Sequence, residues 1–228
     1  MDSSFDKVTK SRLYELGDSL WDIIALSVLW FVFSVPLVTS AASSAALYYA
    51  INRRYRKISD AAIKDFLHSF KTNFIQGIPL SLIFTVFGGF IFFNIRVARY
   101  GIGGMLLPEW YLPLALIMVL PYATLYPFTY PYLARFKSDT KHTIIHASTF
   151  TFMNPGKAIL LNIVTFLSLF LIVVFPPCLL VLPFAAAYLR VYICERIFDK
   201  AIEDEKDRRE RSSDENVQDL EDKEETDA

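Results

Sequence analysis

Few side chains inside the apolar stretches of this 228-residue chain could do chemistry. The candidate intramembrane polar residues are Asp22, Asn94 and Asn162, and Asp22 is the one acid placed within an apolar run. An ionisable group inside a membrane segment is a functional candidate, since its burial in lipid is costly. Asp22 follows Asp18 by four residues, so the headgroup layer is an alternative position for it.

Histidine and cysteine give weak signals. His142 and His146 share one helical face, a spacing that can hold a metal ion, but no third ligand is near in sequence. A solvated or interfacial helix face is therefore the favoured interpretation. Cys178 and Cys194 lie sixteen residues apart in apolar surroundings and form no metal or redox motif. With no catalytic triad pattern or phosphate loop visible, we predict neither an enzyme nor a bound cofactor.

A stretch rich in proline and tyrosine offers another candidate site. Residues 109–133 contain four prolines after Trp110, together with Tyr122, Tyr126 and Tyr130. Irregular backbone at membrane depth must be buried in protein or line a cavity, so these three tyrosines are candidate cavity-lining residues. Interfacial aromatic belts also collect tyrosine, which leaves a purely structural alternative open.

The composition indicates that these residues belong to a membrane protein. The chain is 54% apolar and 15% aromatic, with a mean hydropathy of +0.34, which is too apolar for an ordinary soluble domain. Apolar blocks occupy residues 20–51, 75–95, 109–133 and 158–189. Because backbone polar groups cannot remain unpaired in lipid, the sequence predicts an all-α, polytopic transmembrane helical bundle.

Two of these blocks are too long for one helix. The first and last each contain 32 residues and would rise about 48 Å, beyond the apolar core of a bilayer. Pro36 interrupts the first and Pro176-Pro177 the last, so we expect two Pro-broken helical hairpins. The blocks share residue types at an offset of 140, as in Tyr48 and Tyr188. Two unrelated hairpins remain favoured over an internal repeat.

The distribution of basic residues selects the topology. If both long blocks are hairpins, the chain has six spans, and only Arg96 and Arg99 of the 23 basic residues lie outside. A five-span variant leaves five outside. We therefore predict five or six spans and a cytoplasmic C-terminal tail. A cleaved signal peptide is the alternative for the first block, disfavoured because the apolar run continues to a basic cluster at 53–57.

Two further segments flank the apolar blocks. Residues 58–74 predict an amphipathic interfacial helix, which either attaches the first hairpin to the next span or docks on a partner through Phe66, Phe70 and Lys71. Residues 201–228 hold 13 acidic and 5 basic residues and no aromatic residue, which predicts a disordered acidic tail. The domains are thus a transmembrane domain, 1–200, and this tail.

Two motifs resemble a known family. The stretches "LWFVFSVPLVTSAASSAALYYAINR" and "DFLHSFKTNFIQGI" resemble the YesL-like family of bacterial integral membrane proteins, a domain of unknown function. The resemblance covers about 13–198. Members often have Gly-Pro after the threonine, where this chain has Ser40-Ala41-Ala42. The resemblance implies a multi-pass protein of the bacterial plasma membrane, encoded near genes for carbohydrate uptake, and implies no catalytic residues.

These observations lead to one functional expectation and one alternative. The expectation is an accessory or regulatory component associated with carbohydrate uptake, with membrane lipid and carbohydrate ABC transporter permease subunits as partners and no nucleic acid. The alternative is a small independent membrane transporter or channel. The sequence leaves the ligand and the oligomeric state open.

Overall fold

The structure, a computed structural model, describes residues 20–102, 108–136 and 139–226, with side chains described as far as residue 211. The elements in these ranges are helical, as predicted. They are α1 (Leu20–Ser34), a 3₁₀ turn (Leu37–Thr39), α2 (Ser40–Tyr55), α3 (Ala62–Tyr100), α4 (Tyr111–Ile117), α5 (Val119–Arg135), α6 (Thr140–Met153), α7 (Pro155–Val174), a second 3₁₀ turn (Pro176–Leu180) and α8 (Leu182–Thr226).

The first predicted break is confirmed. Pro36 takes an extended conformation (φ −74°, ψ 104°), and α1 and the segment after it are bent by 119°. The Thr39 hydroxyl lies 2.6 Å from the Phe33 carbonyl and 2.8 Å from the Pro36 carbonyl, and so can donate to either. The contact with Phe33 satisfies a carbonyl group that the end of α1 would otherwise leave unpaired.

The second predicted break has the same order of conformations. α7 ends at Val174, Phe175 is extended (φ −134°, ψ 88°), and a 3₁₀ turn beginning at Pro176 leads into α8. Proline at the start of each turn lacks the N–H that would continue the preceding helix. Both long apolar blocks are therefore broken helix pairs.

The separate interfacial helix predicted over 58–74 is wrong, because α3 runs without a break from Ala62 to Tyr100. At 39 residues, it is about 58 Å long. Residues 62–76 contain neither glycine nor proline, so nothing in the backbone ends the helix before the apolar block. Pro79 lies inside the helix. Membrane helices tolerate proline where neighbouring groups bond the carbonyl that the missing N–H leaves unpaired.

Helices α2 and α3 pack closely through small residues. Ala41, Ala42 and Ala45 are fully buried, and the Ala41 N–H donates to the Ser81 hydroxyl over 2.8 Å. Gly77 of α3 faces Ala42. Small side chains let the two helix backbones approach closely. In a bilayer the hydrophobic effect contributes little to helix association, so helices there associate through such close packing.

The proline-rich block is irregular, as predicted. Met118 interrupts it between α4 and α5, although together they form a 25-residue segment apolar enough to span a membrane. The segment that carries His142 and His146 is helical and forms α6, and Asn154 separates α6 from α7. The Thr151 hydroxyl of α6 lies 2.6 Å from the Thr124 carbonyl of α5, so α6 is bound directly to the bundle.

The structure supports fewer spans by length and composition than the sequence predicts. Within the described residues, three segments qualify (Ala62–Tyr100, Tyr111–Arg135 and Pro155–Val174), and the bent pair at the start of the chain brings the number to four. The prediction of five or six spans is thus not confirmed. The first part of α8 carries Arg190, Glu195 and Arg196, which lowers its hydropathy.

The chain divides into two compact units, Met1–Val191 and Tyr192–Ala228. The second unit contains the acidic segment, which the sequence predicts to be disordered, whereas the structure has it helical as far as Thr226. Glu205 pairs with Arg209 (2.6 Å) and Lys206 with Glu210 (3.6 Å), each four residues apart. Such pairs on exposed faces add a few tenths of a kcal/mol each.

Candidate functional site

The predicted intramembrane acid lies in an ion pair between helices. Asp22 of α1 is mostly buried and pairs with Arg54 near the end of α2. Arg53 forms a second ion pair, with Asp65 of α3, at 3.3 Å. These pairs connect α1 to α2 and α2 to α3, so Asp22 holds the first hairpin closed.

The two predicted asparagines also connect helices. The Tyr111 hydroxyl at the start of α4 donates to the Asn94 side-chain carbonyl of α3 over 2.6 Å. The Asn162 amide of α7 donates to the Ala123 carbonyl of α5 over 2.9 Å. All three polar candidates therefore hold neighbouring helices together.

The candidate docking residues are not presented together on one exposed surface. Phe66 is fully buried and Phe70 is 9% exposed, and their rings pack against Phe33 of α1 with centroids 5.9 and 4.5 Å away. Lys71 is exposed. The periodicity that suggested an interfacial face thus reflects contacts with α1, which leaves Lys71 as the accessible member.

The three candidate tyrosines divide between two environments. Tyr122 and Tyr130 surround Phe84 of α3 with ring centroids 5.5 and 5.7 Å away, and Tyr130 is only 4% exposed. Tyr126 also contacts Phe84, at 5.7 Å, but lies in the wall of a cavity. The tyrosine stripe of α5 therefore packs against α3 and reaches a cavity at one position.

That cavity lies between the two broken helix pairs and has a volume of about 60 Å³. Its walls come from α1, α2, α5, α7 and the start of α8. The lining residues are Trp30, Ser44, Leu47, Tyr48, Tyr126, Thr165, Ser168, Leu169, Ile172, Pro183, Ala186, Ala187 and Arg190. It is largely apolar, with one cation and several hydroxyl groups, a composition typical of sites for small ligands.

Arg190 is the charged group of this cavity. Its Nη2 donates to the Thr165 hydroxyl over 2.6 Å, and its guanidinium carbon lies 5.8 Å from the centre of the Tyr126 ring. The Thr165 hydroxyl in turn donates a hydrogen bond to the Leu161 carbonyl over 2.8 Å. Arg190 Nε is buried without an acceptor among the described residues. The guanidinium thus has neutral neighbours and unused donors.

The opposite wall is fixed by Trp30. Its indole N–H donates to the Ser44 hydroxyl over 3.2 Å, and its backbone carbonyl accepts from the Ser43 hydroxyl over 2.9 Å. Two hydrogen bonds thereby lock α1 to α2 beside the cavity. Within the described part of the chain, the Ser44 hydroxyl proton and the Tyr126 hydroxyl have no hydrogen-bond acceptor.

The two broken helix pairs contribute corresponding positions to this cavity. Leu47 of α2 and Ala187 of α8, which are 140 residues apart, both line it. The equivalent residues Pro36 and Pro176 stand at the two breaks. The offset of 140 is thus matched by the location of both breaks and by one pair of cavity-lining residues, although Pro36 precedes its 3₁₀ turn and Pro176 begins its own.

The histidine and cysteine pairs are separate from the cavity. His146 stacks on Tyr132 (5.3 Å between ring centres), and both histidines are exposed. Cys178 lies half-buried in the second 3₁₀ turn, and Cys194 is buried. No cluster of three or more potential metal ligands occurs within the described residues.

Comparison with known proteins gives one match. Residues 23–95 match a family described as "Protein of unknown function, DUF624". This match confirms the resemblance over residues 23–95, which contain most of α1, all of α2 and most of α3. No curated protein and no solved structure matches the chain. The DUF624 region includes the first broken helix pair and so supplies Trp30 and Ser44 of the cavity.

Sequence reasoning missed the main residue of the site. Arg190 is predicted to lie at the cytoplasmic end of the last helix, with its charge reaching the interface. Instead it is bonded to Thr165, the eleventh of the twenty residues of α7. The available signal was the offset of 140, which aligns Arg190 with Ala50 on the buried face of α2.

Proposed function

We propose that this protein is an accessory membrane component that associates with a carbohydrate uptake system rather than carrying the sugar itself. The observation that supports this proposal best is the size of the cavity. At about 60 Å³ it is several times smaller than the roughly 300–1,000 Å³ of ordinary small-molecule sites. The link to carbohydrate rests on the family resemblance.

The surface of α7 offers a face for lateral association. Phe166, Phe170 and Val173 are 55%, 64% and 80% exposed. Only 11% of the most apolar 18-residue stretch of α7 is buried within the protein, compared with 28% of the corresponding stretch of α3. Lipid covers such a face in an isolated protein. A permease helix of matching apolar character can replace that lipid when the two proteins meet in the bilayer.

The proposed setting is a bacterial plasma membrane with the C-terminal tail in the cytoplasm. α1 and α2 contain 15 and 16 residues, so each rises about 22–24 Å, less than the roughly 30 Å of the hydrocarbon core. Together they make a re-entrant pair whose two ends are on the same side. Four crossings by α3, α4–α5, α7 and α8 then leave Arg96 and Arg99 outside, as the basic residues favour.

Site-specific photocrosslinking in native membranes tests the association. A photoreactive phenylalanine analogue replaces Phe170 on the exposed face of α7, and in a matched control it replaces Phe128, which is fully buried in α5. After irradiation during growth on polysaccharide, we expect a sugar-permease subunit to crosslink at residue 170 and not at 128. Crosslinks at residue 170 to lipid alone, with permease present, would contradict the proposal.

A second candidate, a small independent transporter or channel, is favoured by one observation. Two broken helix pairs meet at a cavity that contains a cation, an arrangement typical of transporters, in which interrupted helices surround the binding site. Flux of a solute into liposomes containing only this protein would establish it. The small volume of the cavity restricts such a solute to a few atoms.

A further inference from the structure

Arg190 forms no ion pair with a carboxylate of the described residues. Thr165, which accepts the hydrogen bond from Arg190, lies about 15 Å along α7 from either end of that helix. Arg190 itself follows the start of α8 by eight residues. Arg190 therefore contacts α7 at the middle of that helix and not at one of its ends.

Carboxylates do not neutralise this charge. Asp22 pairs with Arg54 and Asp65 with Arg53, and no carboxylate of the described residues lies within 4.0 Å of Arg190. Arg190 is half-buried, and its Nε atom is buried without a hydrogen-bond partner among the described residues. Arginines within membrane segments usually face a partner or a water-filled cavity. One hydroxyl and one aromatic face compensate Arg190 only in part.

The cavity beside Arg190 is built for a small electron-rich occupant. Around it stand the guanidinium, the Ser44 hydroxyl and the Tyr126 hydroxyl, all of which can donate. A cavity needs roughly 10–15 Å³ to hold one water molecule, so about 60 Å³ has room for an ion of halide size with water beside it. The remaining wall is apolar and would strengthen the attraction between unlike charges.

We propose that Arg190 and the cavity between the two broken helix pairs form a binding site for a small monovalent anion of halide size, such as chloride. The anion neutralises Arg190 and accepts hydrogen bonds from Ser44 and Tyr126. Because α1, α2, α5, α7 and α8 all contribute to the cavity, an occupied site holds the two helix pairs together. This site does not depend on the accessory role.

Halide quenching of Trp30 fluorescence tests the proposal on the purified full chain in detergent, with gluconate replacing chloride. Trp21 and Trp110 are exposed, and their replacement by phenylalanine leaves Trp30, in the cavity wall, as the sole tryptophan. We expect iodide to quench Trp30 saturably, and chloride to raise the iodide midpoint by competition. Gluconate is too large to compete.

The variant Arg190→Gln removes the charge and keeps a shorter polar side chain. We expect it to weaken iodide binding by about tenfold or more, and Arg190→Lys to weaken it less, since it keeps the charge. Quenching that rises linearly in the arginine-containing chain and ignores chloride would overturn the proposal. That result needs no variant, so it decides the matter even if Arg190→Gln does not fold.

Thermal stability gives a second measurement with a distinct signature. In gluconate, Arg190→Gln should melt at the same temperature as the parent chain or higher, because it removes an uncompensated charge. Chloride should then raise the melting temperature of the parent and leave the variant unchanged. An equal response of both proteins to chloride would contradict a site at Arg190.

Discussion

A single added methyl group tests the packing of α2 on α3. A Cβ atom at Gly77 would lie 2.8 Å from Ala42 Cβ and 2.9 Å from the Ala42 backbone nitrogen. Carbon atoms make favourable contact at about 3.5–4.0 Å, so Gly77→Ala requires the helices to separate by about 1 Å. The obstructing atoms are backbone and a rigid methyl, which cannot rotate aside.

Two opposing effects set the change in stability that Gly77→Ala causes. Alanine is more stable than glycine within a helix by about 0.5–1 kcal/mol, and overpacking a closely packed site costs about 1–3 kcal/mol. Gly89→Ala is the matched control, because it lies in the same helix and a Cβ there meets no atom within 4 Å. The helix-propensity gain is common to both variants, so their stability should differ by about 1–3 kcal/mol.

The assay is the melting temperature of the purified protein in detergent. For a chain of this size, about 1 kcal/mol corresponds to roughly 2–4 °C. Gly89→Ala should match or exceed the parent, and Gly77→Ala should melt several degrees below Gly89→Ala. Gly88→Ala provides a second control, since its Cβ would be in ordinary contact, 3.5 Å from the Tyr122 ring. Equal melting temperatures for Gly77→Ala and Gly89→Ala would refute the close approach of α2 and α3.

Three further outcomes are expected. Asp22→Asn removes the charge of one partner of the partly exposed Arg54 and should lower stability by about 1–2 kcal/mol; a melting temperature equal to that of the parent would contradict a stabilising ion pair. Asn162→Leu loses one interhelical hydrogen bond and should cost about 0.6 kcal/mol, seen as a small fall in melting temperature, so a loss of several kcal/mol would show that more depends on it. On intact cells, an impermeant thiol reagent should label Cys178 in the second turn and not the buried Cys194; the reverse pattern would invert the proposed topology.

The broken hairpins could be predicted from the sequence because proline acts locally. Pro36 and Pro176 end their helices through a missing N–H and a steric clash, effects that need no knowledge of the rest of the fold. The continuity of α3 could not be predicted as readily. An amphipathic pattern over 58–74 is the same whether the apolar face meets lipid or, as Phe66 does, the ring of Phe33.

The candidate site could be predicted only in part, because a sequence pattern does not show what each side chain packs against. Tyr126 was identified from the rule that irregular membrane backbone lines a cavity, but Tyr122 and Tyr130 share its spacing and pack against Phe84. The sequence predicts Arg190 at the interface because charged residues follow it in α8. Its actual position depends on where α8 begins relative to α7. That relation is tertiary, and charge content alone does not reveal it.

The role proposed here is tested most directly by sugar flux into liposomes that contain the purified protein and no other. We expect no uptake of labelled mono- or oligosaccharides above empty liposomes, because the cavity between the two broken helix pairs, at about 60 Å³, does not accommodate them. The same sugars should enter cells more slowly when the protein is absent than when it is present. Saturable sugar uptake by the protein alone would contradict the accessory role.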